Sequence, residues 1–217
     1  LVDTQGDINT VKTLDLAGVH CLRPDGTFAL PKPAARVGDF SSFQSPYLSG
    51  LLDEFFDGQL MPLLSTNRGC PFSCSFCAEG QSYYNKVNKI KSDRVQDEIE
   101  YIGKRMQALP EESTRRDVYI TDSNFGMYKE DIIYATALRE ARDKYGWPTY
   151  VKATTGKNQQ ERILNVAREL DGAITLAGSV QTLDPEVLSN VKRSNINSDA
   201  LLGMALEADN IGANSYS

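Results

Sequence analysis

Apolar positions along this chain recur in two rhythms. From Leu60 onward, short apolar runs alternate with longer stretches in which apolar residues return every three or four positions. The first rhythm belongs to buried strands, the second to amphipathic helices. Leu63-Leu64-Ser65-Thr66 predicts a first strand. Ser92 predicts an N-cap for a helix whose Val95, Ile99, Ile102 and Met106 fall on one face. Val118–Thr121 predicts a second strand, followed by a helix from about Glu130 to Tyr145. Thr149–Ala153 predicts a third strand, and Ile163, Val166, Ala167 and Leu170 mark the helix after it. Ala173–Ala177 predicts a fourth strand. Asp184-Pro185 starts a helix, with Asp as cap and Pro at the first helical position. A helix from about Ser198 to Asp209 comes next, and Ala213–Ser217 reads as the opening of a fifth strand.

Strand and helix alternating with short connections imply a parallel α/β sheet with right-handed crossovers. Residues 1 to about 57 do not share this rhythm. Val19–Leu22 and Thr27–Leu30 read as two short strands around the turn Arg23-Pro24-Asp25-Gly26. Pro31-Lys32-Pro33 breaks regular structure, and Leu48–Phe56 is a short apolar segment expected to pack on the next domain. There is no internal repeat and no low-complexity tract.

Composition narrows the classes. The chain has 217 residues, 41% hydrophobic and 24% charged, as in ordinary globular proteins. No apolar run approaches the ~18 residues of a membrane span. The N-terminus lacks an export signal, which predicts a cytoplasmic location, and it lacks Met, which predicts a piece of a longer product. A formal net charge of −6 argues against a nucleic-acid partner. On the same ground Tyr83-Tyr84-Asn85-Lys86 through Lys91 reads as a solvated loop entering a helix.

Three of the four cysteines lie within eight residues, as Cys70-x3-Cys74-x2-Cys77, directly after the first strand. Such crowding points to metal binding. One alternative is packing, since buried thiols behave as small hydrophobes, but Pro71, the serines and the flanking glycines make a poor helix. Another is zinc, which normally takes four ligands; the single histidine, His20, is distant. Three thiolates can instead hold three corners of an iron–sulfur cube and leave the fourth iron open. The competing readings are an electron-transfer or structural iron–sulfur module, which a fourth nearby cysteine would favour where only distant Cys21 is left over, and a zinc-binding interaction domain.

On these residues, with Phe76 ahead of the last cysteine, the chain resembles the radical S-adenosylmethionine (SAM) superfamily. Ser45–Gly50, Thr121–Gly126 and Gly178–Asp184 resemble the subgroup with an upstream cobalamin-binding domain. The resemblance implies a partial (β/α) barrel with about four to five of six βα units. Residues 1–57 would be the tail of an upstream domain plus linker, and residues 58–217 a core domain truncated at its C-terminus. It also implies a [4Fe–4S] cluster on Cys70, Cys74 and Cys77, with SAM chelated to the open iron. Reductive cleavage would yield a 5′-deoxyadenosyl radical acting on a substrate the sequence does not identify. The electron would come from an external flavodoxin- or ferredoxin-like reductant. Cobalamin would enter only through the upstream domain, because the signature Asp-x-His-x-x-Gly is absent around His20.

The resemblance assigns further cofactor contacts. Phe76 would lie beside the adenine; the alternative is loop packing. Asp122 and Asn124 would meet the methionyl amino group, although the family's common Gly-Gly-Glu is absent; the alternative is an Asx turn. Thr154 would join the same ring. Ser179 and Gln181 would face the ribose or carboxylate, or else cap the next helix. Arg193 would pair with the cofactor carboxylate, or else be solvated. The catalytic acid, base and substrate pocket are not readable.

Overall fold

The first barrel strand is two residues long. β3 (Leu63–Leu64) pairs in parallel with β6 (Asp117–Phe125), Leu63 opposite Tyr119. β6 pairs with β7 (Tyr150–Thr155), and a parallel bridge from Val151 to Ile174 carries the sheet on to β8 (Thr175–Ala177) and β9 (Asn214–Tyr216). The computed structural model describes residues 5–40, 42–110, 112–113, 115–156, 158–177, 180–193 and 198–216. It divides into two compact units, Leu1–Gly38 and Asp39–Ser217.

In the first unit, α1 (Ile8–Thr13) is capped by Asp7, whose carboxylate accepts from the backbone N–H groups of Asn9 and Thr10. β1 (Cys21–Leu22) and β2 (Phe28–Ala29) form the expected antiparallel pair. Between them Gly26 sits at φ +81°, a conformation glycine adopts freely. The thiol of Cys21 reaches the carbonyl of Lys12 at 3.7 Å.

In the second unit the segment opened by β3 and the strands β6, β7 and β8 are each followed by a helix or helix pair. These are α2 (Ser92–Gln107), α3 (Asp131–Tyr145), α4 (Gln160–Glu169), and the pair α5 (Pro185–Asn190) and α6 (Ser198–Ile211). The order is that of a partial β/α barrel, with α2 against α3, α3 against α4 and α4 against α6. The predicted face of α2 is buried in full: Val95, Ile99, Ile102 and Met106 are at most 1% exposed. Each such side chain contributes ~1.5–3 kcal/mol of burial. On β6, Val118 and Ile120 turn to the helices. The opposite face, in register with them, is polar. Lys152 pairs with Asp117 at 2.6 Å, and Tyr150 hydrogen-bonds Thr175 at 2.5 Å.

Three details depart from the sequence expectation. The cap of α2 is Lys91, not Ser92; the Ser92 hydroxyl turns to Tyr134 on α3 at 3.2 Å. β6 continues through Asp122-Ser123-Asn124 to Phe125, past the apolar run, because its polar residues find partners in the loop beside them. The loop after β3 is not merely solvated. β4 (Asn67–Arg68) and β5 (Asn88–Lys89) pair antiparallel and close its neck. The expected cap at Asp184 and the expected fifth strand are both present.

The lead-in segment packs on the barrel core through Tyr47. Its hydroxyl donates to the Leu63 carbonyl at 2.8 Å and accepts from the Leu63 N–H at 3.1 Å. Tyr119 N–H reaches Pro62 O on the other side, so Leu63's own backbone groups point away from β6.

Candidate functional site

The cysteine loop leaves the C-terminal end of β3, the face where parallel barrels carry their chemistry. Its neck is the β4–β5 ribbon, reinforced by Ile90 N–H to Thr66 O at 2.8 Å and Cys70 N–H to Tyr84 O at 3.0 Å. Inside, Cys77 N–H bonds Cys74 O at 3.1 Å, and a single 3-10 turn, Ala78–Gly80, folds back on the loop. Gly80 lies so close that a Cβ there would stand 2.1 Å from the Cys74 carbonyl oxygen. Ser75 N–H reaches across to Val191 O after α5, at 3.1 Å.

The loop walls a cavity of about 480 Å³, a size suited to a small-molecule site. Cys70, Cys74 and Cys77 all line it. So do Phe76, Asp122, Asn124, Thr154, Gln181 and Arg193, the residues read from the sequence as cofactor contacts. Ser179 lies outside the described residues. Sequence reasoning missed Ser123, Asn158 and Lys192, which line the same cavity. Lys192 and Asn158 sit in connecting segments with no periodicity. Their only signal is that each comes after a strand or helix on the same face of the sheet.

Asp122 is 3% exposed and heavily engaged. Oδ1 accepts from Thr66 N–H at 2.9 Å and more distantly from Asn67 N–H at 3.4 Å. Oδ2 accepts from the Asn67 side-chain amide at 2.7 Å and from the Thr66 hydroxyl. Burial pushes the Asp122 carboxyl up, and the bonds from Thr66 and Asn67 pull it back. The carboxylate therefore clamps the residues that precede the cysteine loop. Asn124, two residues on and in phase, donates from Nδ2 to Cys70 Sγ at 3.3 Å. Arg193 reaches Cys74 Sγ at 3.5 Å, with its guanidinium 5.9 Å from the centre of the Phe76 ring. Behind the cavity, Asp131 opens α3 and accepts from Tyr128 N–H at 2.9 Å; burial pushes its carboxyl up to about 7.

The donor set fits a cluster. Three thiols share one cavity wall, a side-chain N–H already addresses one of them, and the only other cysteine, Cys21, belongs to the first unit. Among the described residues no three His, Cys, Asp or Glu side chains converge on a single ion position. A cube asks for something different, since each thiolate binds its own iron.

A family model described as the radical SAM superfamily matches residues 64–212, more than half of the chain. The chain belongs to the radical SAM superfamily. Two relatives share most of this radical SAM domain. One is the cobalamin-dependent radical SAM methyltransferase TokK of Streptomyces tokunonensis, 34% identical over 184 residues, covering 80% of this chain and 26% of that protein. The other is the 2-(S-pantetheinyl)-carbapenam-3-carboxylate methyltransferase of Streptantibioticus cattleyicolor, 33% identical over 181 residues, covering 79% and 25%. The chain thus spans about a quarter of the length of these relatives. Among solved structures, the cobalamin-dependent SAM radical enzyme OxsB matches with a TM-score of 0.60 at 17% identity, over 98% of this chain and 31% of that one. The radical SAM methyltransferase TsrM of Kitasatospora setae matches at 0.60 and 15%, over 99% and 41%. At these identities the structures support the fold: a radical SAM barrel, here partial. Among its described residues no helix is long and apolar enough to cross a membrane.

Proposed function

We propose that this domain holds a [4Fe–4S] cluster on Cys70, Cys74 and Cys77 and binds SAM in the cavity beside it. The observation that carries the reading is that all three cysteines line one cavity together with six of the polar and aromatic residues expected at a SAM site. A cluster held by these thiolates would supply the single electron for reductive cleavage of the bound SAM. The chain's own residues bind and orient. Phe76, 55% exposed at the rim, offers a ring face to the adenine. Arg193 and Lys192 offer positive charge to a carboxylate. Thr154 and Gln181 offer hydrogen bonds from the far wall. Asp122 holds the loop in place rather than meeting the ligand, since its oxygens already accept four bonds.

We infer methyl transfer as the reaction class, because both relatives at 33–34% identity are named methyltransferases. Cobalamin, named for TokK, would be held by a domain upstream of this chain; no residue here is assigned to it. An external one-electron reductant of flavodoxin or ferredoxin type completes the system.

Anaerobic reconstitution tests the reading. We expect about four irons and four sulfides per chain, and a paramagnetic resonance spectrum of the reduced cluster that changes on adding SAM. Replacing all three cysteines by Ala abolishes the signal. A wild-type-like cluster in that triple variant overturns the assignment.

A further inference from the structure

We propose that Asn124 and Arg193 set the reduction potential of the cluster by donating hydrogen bonds to two of the thiolates that hold it. The inference rests on the cluster reading above and adds a role to residues otherwise read as cofactor contacts. Asn124 Nδ2 stands 3.3 Å from Cys70 Sγ, and Arg193 stands 3.5 Å from Cys74 Sγ. Both lengths suit N–H donation to sulfur, which is larger than oxygen. Iron-bound thiolate offers only acceptor capacity, so an amide or guanidinium N–H is the group that matches it.

Each of the two bonds has one buried member, the donor in one and the sulfur in the other. Asn124 is 7% exposed and Cys74 is 7% exposed, so water competes weakly for either bond. Asn124 is also fixed from both sides. It lies within β6, in phase with the clamped Asp122, and its carbonyl accepts from Met127 N–H at 3.3 Å. Arg193 is braced over the Phe76 ring, where a cation and an aromatic face attract. The exposed Cys77 has no side-chain donor of this kind among the described residues.

The effect has a definite sign. When a cluster takes up an electron, its ligand sulfurs become more negative. A donor fixed on a sulfur stabilises that state more than the oxidised one, so the potential rises. A charged donor acts more strongly than a neutral one. Asn124 and Arg193 therefore make the cluster easier to reduce, a role separate from any contact they make with SAM. They are positioning and tuning residues.

The test is a redox titration of the reconstituted protein followed by paramagnetic resonance, without SAM. Asn124→Asp keeps the shape but replaces the donor by an acceptor. Arg193→Met removes the donor, and Arg193→Gln keeps a neutral one. We expect iron and sulfide content to match wild type. The reduction equilibrium should fall about tenfold in Asn124→Asp and Arg193→Met, which is ~59 mV for a one-electron couple. Arg193→Gln should fall by less. Should Asn124→Asp fail to take up a cluster, Asn124→Ser and the Arg193 pair decide. Full clusters with wild-type potentials in these variants overturn the proposal. A wild-type chain that takes up no cluster overturns the function reading instead, so the two failures are distinct.

Discussion

Replacing Asp122 by Ala leaves several buried donors without an acceptor. Thr66 is 1% exposed and Asn67 5%, so water does not replace the lost carboxylate. The strongest bonds removed are those from Thr66 N–H at 2.9 Å and the Asn67 amide at 2.7 Å. Each orphaned donor costs ~1–3 kcal/mol. The Thr66 hydroxyl can rotate, and the Asn67 N–H at 3.4 Å contributes little. Against this, the variant no longer buries a carboxylate, which burial disfavours in its charged form. The net loss is then ~2–4 kcal/mol. For a chain of this length that lowers the melting temperature by roughly 4–16 °C. Asp122→Asn keeps an acceptor for Thr66 N–H but sets an amide against the Asn67 amide, for about 1–3 kcal/mol. Thermal and urea unfolding of the chain without SAM measures both, and iron content after reconstitution reports the loop. A stability within ~0.5 kcal/mol of wild type for Asp122→Ala, with a defect only in SAM binding, would refute the clamp and return Asp122 to the ligand.

The geometry carries two more expected outcomes. Gly80→Ala forces a methyl to within 2.1 Å of the Cys74 carbonyl oxygen, so the loop must move. Iron content after reconstitution should fall several-fold, while the circular dichroism of the barrel stays unchanged; full loading would contradict the packing. Asp131 has a folded pKa raised by burial from its ordinary 3.8 to about 7. Its contribution to stability is therefore fully present below pH 3.8 and is lost as pH rises through 7, on the order of 2–4 kcal/mol. Asp131→Asn should flatten the melting temperature across about pH 4–8 relative to wild type, and an unchanged profile would remove Asp131 as its source.

The strongly periodic parts of the chain were legible because burial tracks period. Val95, Ile99, Ile102 and Met106 can only be satisfied by one buried helix face, and they are. The cysteine spacing pointed to the loop that walls the cavity, and the rule that parallel strands open on one face placed Asp122, Asn124 and Thr154 on the same cavity. What stayed hidden depends on partners distant in sequence. Two-residue strands such as β4 and β5 carry no period at all. Ser92 looks like a cap, but a tyrosine of the next helix claims its hydroxyl. Asp122-Ser123-Asn124 reads as a turn because polar triplets usually are one. Here they extend a strand, because Thr66, Asn67 and Cys70 stand 54 to 56 positions away as partners.

The phenol of Tyr47 gives the sheet a direction. A single side-chain oxygen answers both backbone groups of Leu63 on the side away from β6. A strand arriving there would have to displace it. β9, at the other margin of the described sheet, is flanked by β8 alone. Within the described sheet, then, the backbone beside Leu63 is closed to strand addition by a side chain, whereas β9 is flanked on one side only.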